Sequence, residues 1–466
     1  MKTNRIYTFL ILAAVPFLLV SCFAAKDYER PDVVTQDAYR TDRLPQDSLN
    51  MAEVSWREMF TDPLLTSYIE QGLQNNIDIR IAIQQMLAAE AYVKQGKAGY
   101  LPTLDVGANV NYQNLSENGQ FGSVFDGSIT QFDVTGNLSW EADIWGKIRS
   151  NERAFQASYL QSVAAHKAVK TRLISNIATT YYQLLMLDEQ RRITEETIEN
   201  RTKSLETTKA LKDAGNLTEV GVQQTEAQLY TAQALLIDIK NEIRLLENSF
   251  SILLGEGPHE IERGQLEDQK ITTGLNTGVP AQLLRNRPDV MAAEYNLVNA
   301  FELTNVARSN FYPSLRLSAS GGFQSLELKD LFDVNSLFAN LAGSLAEPIL
   351  QGRRIRTEYE VSQARQQEAL LNFRLALLTA GKEVSDALYN YEASTEKIEV
   401  QSKEFEAYSK ASDYSQELLN SGYANYLEVL TARENALTSR LGLINAEFNR
   451  LKSIVALYEA LGGGWQ

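Results

Sequence analysis

Thiol and imidazole chemistry in this 466-residue chain is confined to Cys22, His166 and His259. A single cysteine makes no intrachain disulfide and no cysteine-based zinc site. Two histidines lying far apart in the sequence give little ground for a His-rich metal centre or a Ser/His/Asp triad. No phosphate-cradling glycine loop and no nucleophile–base pair stands out. The expectation is therefore a protein that is not an enzyme, with no cofactor and no metal. The methionines at 51, 59, 86, 186 and 291 are scattered, which suits core filling better than a soft-metal relay. Lys plus Arg total 44 against 59 Asp plus Glu, a net charge of -15, so the surface is not built to neutralise phosphates and nucleic acid is not an expected partner.

The one distinctive chemistry is at Cys22. Lys2 and Arg5 precede an apolar stretch from Ile6 to Val20, which ends at Ser21-Cys22. That is the three-part layout of a secretory signal. The stretch, about 15 residues, is shorter than the ~20 a spanning helix needs, and Pro16 interrupts it. Leu19-Val20-Ser21-Cys22 resembles a bacterial lipobox, in which residues 1–21 are removed and the thiol is lipidated, palmitate being one such chain. The plainer alternative is a small cysteine that happens to close a signal peptide. Position decides between them, because the only cysteine stands at the junction where the modification requires it. Loss of Lys2 and Arg5 takes the mature chain to -17. Phe23, in place of Asp, resembles the pattern that permits sorting to the outer membrane.

The elements that carry this anchor are organised as a repeat. Tyr100-Leu101-Pro102-Thr103-Leu104 recurs as Phe311-Tyr312-Pro313-Ser314-Leu315, an offset of 211, and Trp145-Gly146-Lys147-Ile148-Arg149 echoes Gln351-Gly352-Arg353-Arg354-Ile355 at 206. From there the offset holds at 207, with Lys212-Asp213-Ala214-Gly215 matching Leu419-Asn420-Ser421-Gly422 and Leu253-Leu254-Gly255 matching Ala460-Leu461-Gly462. The expected organisation is a signal peptide at 1–21, a lipidated extension at 22–63, a first copy at 64–255, a linker at 256–278, a second copy at 279–462 and a tail at 463–466.

Within each copy the periodicity changes. Residues 104–113 and 132–141 alternate apolar with polar, and 315–323 with 337–345 do so more weakly. Two hairpins per chain are expected, 104–141 and 315–345, with 114–131 and 324–336 as their loops. Segments of about ten residues suit the ~9–11 that cross a bilayer at a tilt. From Lys147 to Leu211 there is neither proline nor glycine, and the matching stretch after Gly352 runs to Asn420 with only Gly381 inside it. Each predicts a helix on the order of 100 Å, turning at Gly215 or Gly422 into a returning helix. The last of these carries a coiled-coil seam from Leu437 to Tyr458. Four strands cannot close a membrane barrel alone, since such barrels begin at about eight. If these strands enter a membrane, subunits must pool them.

Linked motifs along nearly the whole mature chain resemble the TolC-like outer-membrane efflux protein family, in its NodT-type lipoprotein branch. They are Tyr28-Glu29-Arg30-Pro31, Leu253-Leu254-Gly255, the run from Pro280 to Val290 containing Arg287-Pro288-Asp289, Ala293-Glu294, Tyr312-Pro313-Ser314, Gly422 with Tyr426-Leu427-Glu428-Val429-Leu430, and Leu457 to Trp465. The resemblance implies an α+β membrane protein: a homotrimer whose four strands per chain make a twelve-stranded β-barrel, continued by a long periplasmic α-helical barrel. It implies a lipid-anchored duct of the bacterial outer membrane that passively conducts substrates. Its implied partners are outer-membrane lipid, a periplasmic adaptor and an inner-membrane pump of the resistance-nodulation-division class, an assembly of the kind that gives multidrug resistance. A duct for type I protein secretion and a lipid-anchored coiled-coil structural protein are the alternatives. The turns Gly215-Asn216-Leu217-Thr218 and Gly422-Tyr423-Ala424-Asn425 would be the adaptor-contacting tips. Family members carry acidic residues after the second tip that ring the closed end, and here the first position is Glu428 and the second is Thr431. Arg287-Pro288-Asp289 reads as an ordinary helix start, with proline where its missing N–H costs nothing.

Mass spectrometry of the mature protein is expected to find it beginning at an acylated Cys22. An unmodified thiol or a retained residue 1–21 segment would defeat the lipobox reading.

Overall fold

The computed structural model describes residues 25–32, 50–114, 116, 128–269, 271, 277–278 and 282–465. The signal segment, Cys22, most of the first hairpin loop and Pro280-Ala281 lie outside these described residues. Helix α1 is Trp56–Met59, α2 Pro63–Asn75 and α3 Ile77–Ala98. Strands β1 (Thr103–Asn114) and β2 (Ser128–Ala142) follow, then α4 (Lys147–Asp213) and α5 (Glu219–Leu253). After α6 (Leu283–Asn286) the pattern returns as α7 (Pro288–Ser309), β3 (Ser314–Ser325), β4 (Leu337–Ala346), α8 (Arg354–Asn420) and α9 (Tyr426–Ala460). α4 and α8 are 67 residues each, and α5 and α9 are 35 each. Among the described residues no helix is long and apolar enough to cross a membrane.

The strands form one antiparallel sheet in the order β1-β2-β3-β4. Its register places Leu104 opposite Leu138, Leu138 opposite Ala319 and Ala319 opposite Leu341, an apolar row across all four strands. One residue along, Asp105, Asn137, Ser320 and Asn340 make a polar row. Because side chains alternate in a strand, these rows put one apolar and one polar face on the sheet. The apolar face is bare, with Val106 74% and Leu341 84% exposed. The strands also run further than the alternation suggests. Asn114 pairs with Ser128, and Phe132 with Ser325, so 128–131 and 324–325 are ladder, not loop.

The residues pack as two compact units. The first comprises Met1–Pro31, Leu87–Gln161 and Glu294–Asn372 and holds the sheet, while the second comprises Asp32–Met86, Ser162–Ala293 and Phe373–Gln466. Packing thus groups residues across the two sequence copies, because strands pair with strands and helical hairpins with helical hairpins. In the second unit α4 and α9 are joined directly. Arg201 donates to Glu434 at 2.5 Å, and Arg440 pairs with Glu189 at 3.3 Å. Its core includes Ile174, Ile177, Tyr181, Leu184, Ile444 and Val455, all close to fully buried.

Four helix ends share one device. Gly215, Gly255, Gly422 and Gly462 have φ of +78, +78, +79 and +89. The residue after each donates to a carbonyl five positions back, as in Asn216 N to Leu211 O at 2.9 Å and Tyr423 N to Leu418 O at 2.8 Å. This closure satisfies terminal carbonyls that the helix leaves orphaned. At the ends marked by Gly255 and Gly462 a side chain from a preceding element caps another carbonyl: Asn76 Nδ2 reaches Leu253 O at 3.0 Å, and Arg287 Nη1 reaches Ala460 O at 3.0 Å. Arg287 also binds Asp289 at 2.5 and 2.9 Å and Glu383 at 2.6 Å. Pro288 opens α7 as the sequence predicts. Burial alone would raise the Asp289 carboxyl, but the Arg287 hydrogen bond and charge hold it below the usual range. The stability Asp289 contributes is present above its unfolded value and lost as pH falls through the lower folded one.

Gly462→Ala should cost about 2–4 kcal/mol, since it combines left-handed strain with a Cβ placed 2.2 Å from Asn286 O. Gly422→Ala, with nothing within 4 Å of its Cβ position, should cost about 1 kcal/mol from strain alone. Thermal unfolding of the two variants checks the ranking, and equal losses would refute it.

Candidate functional site

Three places carry the residues singled out by sequence. The first is the strap that follows Cys22. Asn305, 1% exposed on α7, grips the Lys26 backbone from both sides, accepting from its N at 3.1 Å and donating to its O at 2.9 Å. Asp27 pairs with Arg153 at 3.2 Å, and Arg153 reaches the buried Glu302 at 3.6 Å. Tyr28 packs edge-on against Phe301 with centroids 5.6 Å apart. Arg30 forks onto Glu294 at 2.5 and 2.9 Å, a bidentate charge-assisted pair. The Tyr28 hydroxyl is buried with no partner, and burial together with the Glu294 charge pushes it up to about 12. Tyr28-Glu29-Arg30-Pro31 was legible as a motif, but its partners Glu294, Phe301 and Asn305 were not.

The second place is the base of the sheet. Ala25 Cβ lies 3.2 Å from where a Cβ on Gly146 would stand, between the end of β2 and the start of α4. Trp145 stacks on Tyr312 at 4.8 Å and donates from Nε1 to Pro313 O at 2.7 Å. Trp140 Nε1 donates to Tyr100 O at 2.9 Å. Both indoles therefore keep an apolar body and a satisfied polar tip, the property that suits a membrane–water boundary.

The third place is the pair of helical turns. Gly215, Asn216, Thr218, Gly422, Tyr423 and Asn425 are exposed, Tyr423 at 84%. Leu217 and Ala424 are half-buried. Leu217 packs onto Leu205, Val222 and Leu229, so it holds its turn together and is not on display with its neighbours. Between the turns lies a groove of about 870 Å³ whose lining includes Ser204, Thr207, Leu217, Gln416 and Arg433. Arg433 spans it, donating to Ser204 and, at 2.8 Å, to Gln416. Thr218 and Asn425 are the N-caps of α5 and α9. Asn425 Oδ1 accepts from Glu428 N at 3.0 Å while its Nδ2 donates to Glu428 Oε1 at 2.9 Å, a reciprocal arrangement related to the capping box. Glu428 is exposed, and the Thr431 hydroxyl turns back onto Leu427 O at 2.9 Å. Among the described residues no group of three His, Cys, Asp or Glu is arranged to hold a metal.

The sequence pattern of the outer membrane efflux protein family matches this chain twice, over 68–256 and 279–463. The chain is similar to the probable outer membrane lipoprotein SilC of Salmonella typhimurium, at 28% identity over 461 residues, covering 96% of this chain and 97% of that protein. It is equally similar to the solvent efflux pump outer membrane protein SrpC of Pseudomonas putida, 28% identical over 455 residues and 96% of each. Among solved structures, the outer-membrane channel OprN matches with a TM-score of 0.87 at 25% identity, covering 95% of this chain and 100% of that one.

The strap makes a pair of contrasting substitutions informative. Tyr28→Phe should leave stability unchanged or slightly raised, because the hydroxyl has nothing to lose, whereas Arg30→Ala should cost about 1–3 kcal/mol by stranding Glu294. Limited proteolysis near residue 30 should accelerate only in Arg30→Ala, and acceleration in Tyr28→Phe would show an unseen partner of the hydroxyl.

Proposed function

The chain belongs to the outer membrane efflux protein family, and from that premise we propose how its geometry makes a passive exit duct. It is the outer-membrane channel component of an efflux system, working with a periplasmic adaptor and an inner-membrane pump. We assign the pump to the resistance-nodulation-division class.

The observation that carries the proposal is a sheet with one apolar face, one polar face and two open edges. A strand of 12 residues at ~3.3 Å per residue, tilted about 40°, rises roughly 30 Å, the thickness of a hydrocarbon core. In that medium every unpaired backbone group costs several kcal/mol, so the outer edges of β1 and β4 must pair. Pairing β4 of one copy with β1 of the next is a head-to-tail contact that closes into a ring. Three copies make twelve strands, with lipid against the apolar face and water against the polar one. The helices of the second unit support the same closure. α5 leaves Tyr230, Ile237, Leu245 and Ile252 exposed, and α8 leaves Leu375, Leu378, Val400 and Tyr414 exposed. These flanking faces suit each other across a subunit boundary. The chain is then a twofold internal repeat, 64–255 and 279–462, arranged three times about an axis.

Lipid on Cys22 fits this placement. Three peptide units reach at most ~11 Å, so a lipid on Cys22 stays near Ala25 and the base of the sheet, where the bilayer surface would lie. The tips at Gly215-Asn216-Leu217-Thr218 and Gly422-Tyr423-Ala424-Asn425 are assigned to adaptor docking, with Tyr423 as a large, exposed aromatic side chain. Glu428, repeated about the axis, forms one acidic ring, and Thr431 supplies an uncharged position in place of a second. Like charges drawn together attract cations and bind multivalent ones most strongly.

Single-channel recording in a planar bilayer tests the assignment. The protein should conduct with cation preference and multivalent block, and Glu428→Gln, which keeps the Asn425 interaction while removing charge, should weaken both. Unchanged selectivity would return Glu428 to helix capping alone, and absence of any conductance from an intact trimer would remove the duct itself. Replacing Asn216 and Tyr423 together by bulky charged residues should abolish efflux with assembly intact, and retained efflux would move the docking surface elsewhere.

A further inference from the structure

The β3–β4 connection exposes four large apolar side chains alongside the exposed Glu327, Lys329, Asp330 and Asp333. Leu326, Leu328, Phe332 and Val334 are 62, 63, 71 and 83% exposed. Several of its backbone and side-chain groups bond to one another within the loop. Asp330 N donates to Glu327 O at 3.1 Å, Asp333 N to Asp330 O at 3.0 Å and Ser336 N to Asp333 O at 3.0 Å. Asp333 Oδ1 accepts from Asn335 N at 2.9 Å, the Ser336 hydroxyl donates to Asp330 O at 2.7 Å, and Lys329 pairs with Glu327 at 2.7 Å. Internal closure of this kind is compatible with backbone lowered toward hydrocarbon, where unpaired groups are costly.

The connection also has a definite side. Phe332 packs edge-on against Phe323 with centroids 5.6 Å apart, and Leu331 beside it is only 5% exposed. Phe323 stands in the register row Ala108, Val134, Phe323 and Leu337, which belongs to the apolar face. A loop fastened there is drawn over the apolar face and away from the polar face carrying Gln324.

We infer that residues 326–336 form an apolar collar lying in the acyl-chain boundary of the outer leaflet, continuous with the apolar face of the sheet. Its occupant is lipid, contacted by Leu326, Leu328, Phe332 and Val334, while the paired Glu327 and Lys329 stay at headgroup depth. The collar fixes the outer height of the barrel as Trp145 and the strap fix the inner one. It rests on the reading that the sheet spans the membrane.

Spin labels at Phe332→Cys and Val334→Cys test it in proteoliposomes of phosphatidylethanolamine and phosphatidylglycerol. The reference positions are Val106→Cys on the apolar face and Asn109→Cys on the polar face, and the parent protein, its single cysteine acylated, takes up no label. Oxygen should reach 332 and 334 more readily than a water-soluble nickel chelate does, as at 106 and opposite to 109. Accessibility like that of 109 overturns the collar, and so does spin–spin broadening between copies meeting across the mouth. A lipid-exposed 106 with water-exposed 332 and 334 sinks the collar alone, whereas a water-exposed 106 sinks the spanning reading and the collar with it. Should Phe332→Cys fail to assemble, Val334→Cys decides, because that side chain is 83% exposed and its replacement disturbs little packing.

Discussion

An unpaired strand edge in hydrocarbon is the constraint on which the proposed architecture depends. Water would hydrate the free N–H and C=O groups of β1 and β4, but a bilayer core offers them nothing. Four strands with two open edges are therefore an incomplete object in lipid, and the proposed closure between copies follows from that. The second unit has a matching deficiency in its own terms. Its helices α5 and α8 carry large exposed apolar side chains, while α4 and α9 are joined by ion pairs. The open sheet edges and the exposed apolar faces of α5 and α8 are the surfaces that the proposed ring would cover.

Helix ends pose the second general problem, because helices of 67 and 35 residues leave orphaned carbonyls wherever they turn. The chain solves it the same way four times, with a left-handed glycine and a closing bond five residues back. Context separates the four. Gly255 and Gly462 approach the backbones of Asn75 and Asn286 so closely that any side chain would collide, whereas Gly215 and Gly422 face open space. The first pair is held by packing, and the second pair is left free to be surface. Arg287 shows how such packing is reinforced, since one guanidinium caps the end of α9 and neutralises Asp289 and Glu383.

The capping arithmetic also tempers the reading of Glu428. The carboxylate already has a structural partner in Asn425, so its position near a helix start would be explained without any pore. The proposed acidic ring is a property of an assembly and not of the isolated chain. Leu217 teaches the converse lesson, because it sits in a turn read as display surface and yet packs inward on Leu205, Val222 and Leu229.

Much of the fold was legible in the sequence because it is written in short-range periodicity. Alternation located four strands, long proline-free runs with at most one glycine located the long helices, and the offsets of 211 and 207 paired their ends. The candidate lipobox is likewise a local pattern, read from Leu19 to Cys22 at the end of an apolar run, and it lies outside the described residues. Local patterns blur where pairing extends an element, so residues 128–131 were read as loop although the register with β1 makes them strand. The partners across the fold were out of reach altogether. Glu294 for Arg30, Phe301 for Tyr28, Asn305 for Lys26 and Glu383 for Arg287 are separated by tens to hundreds of residues, and no periodicity relates them. The fastening of Phe332 onto Phe323 was hidden for the same reason, since it depends on where the connection lands. Sequence alone determined the elements, their repetition and the candidate anchor, because these follow from neighbours along the chain. Tertiary structure decided the faces, the strap and the buried charge, because those depend on which distant groups folding brings within a few ångströms.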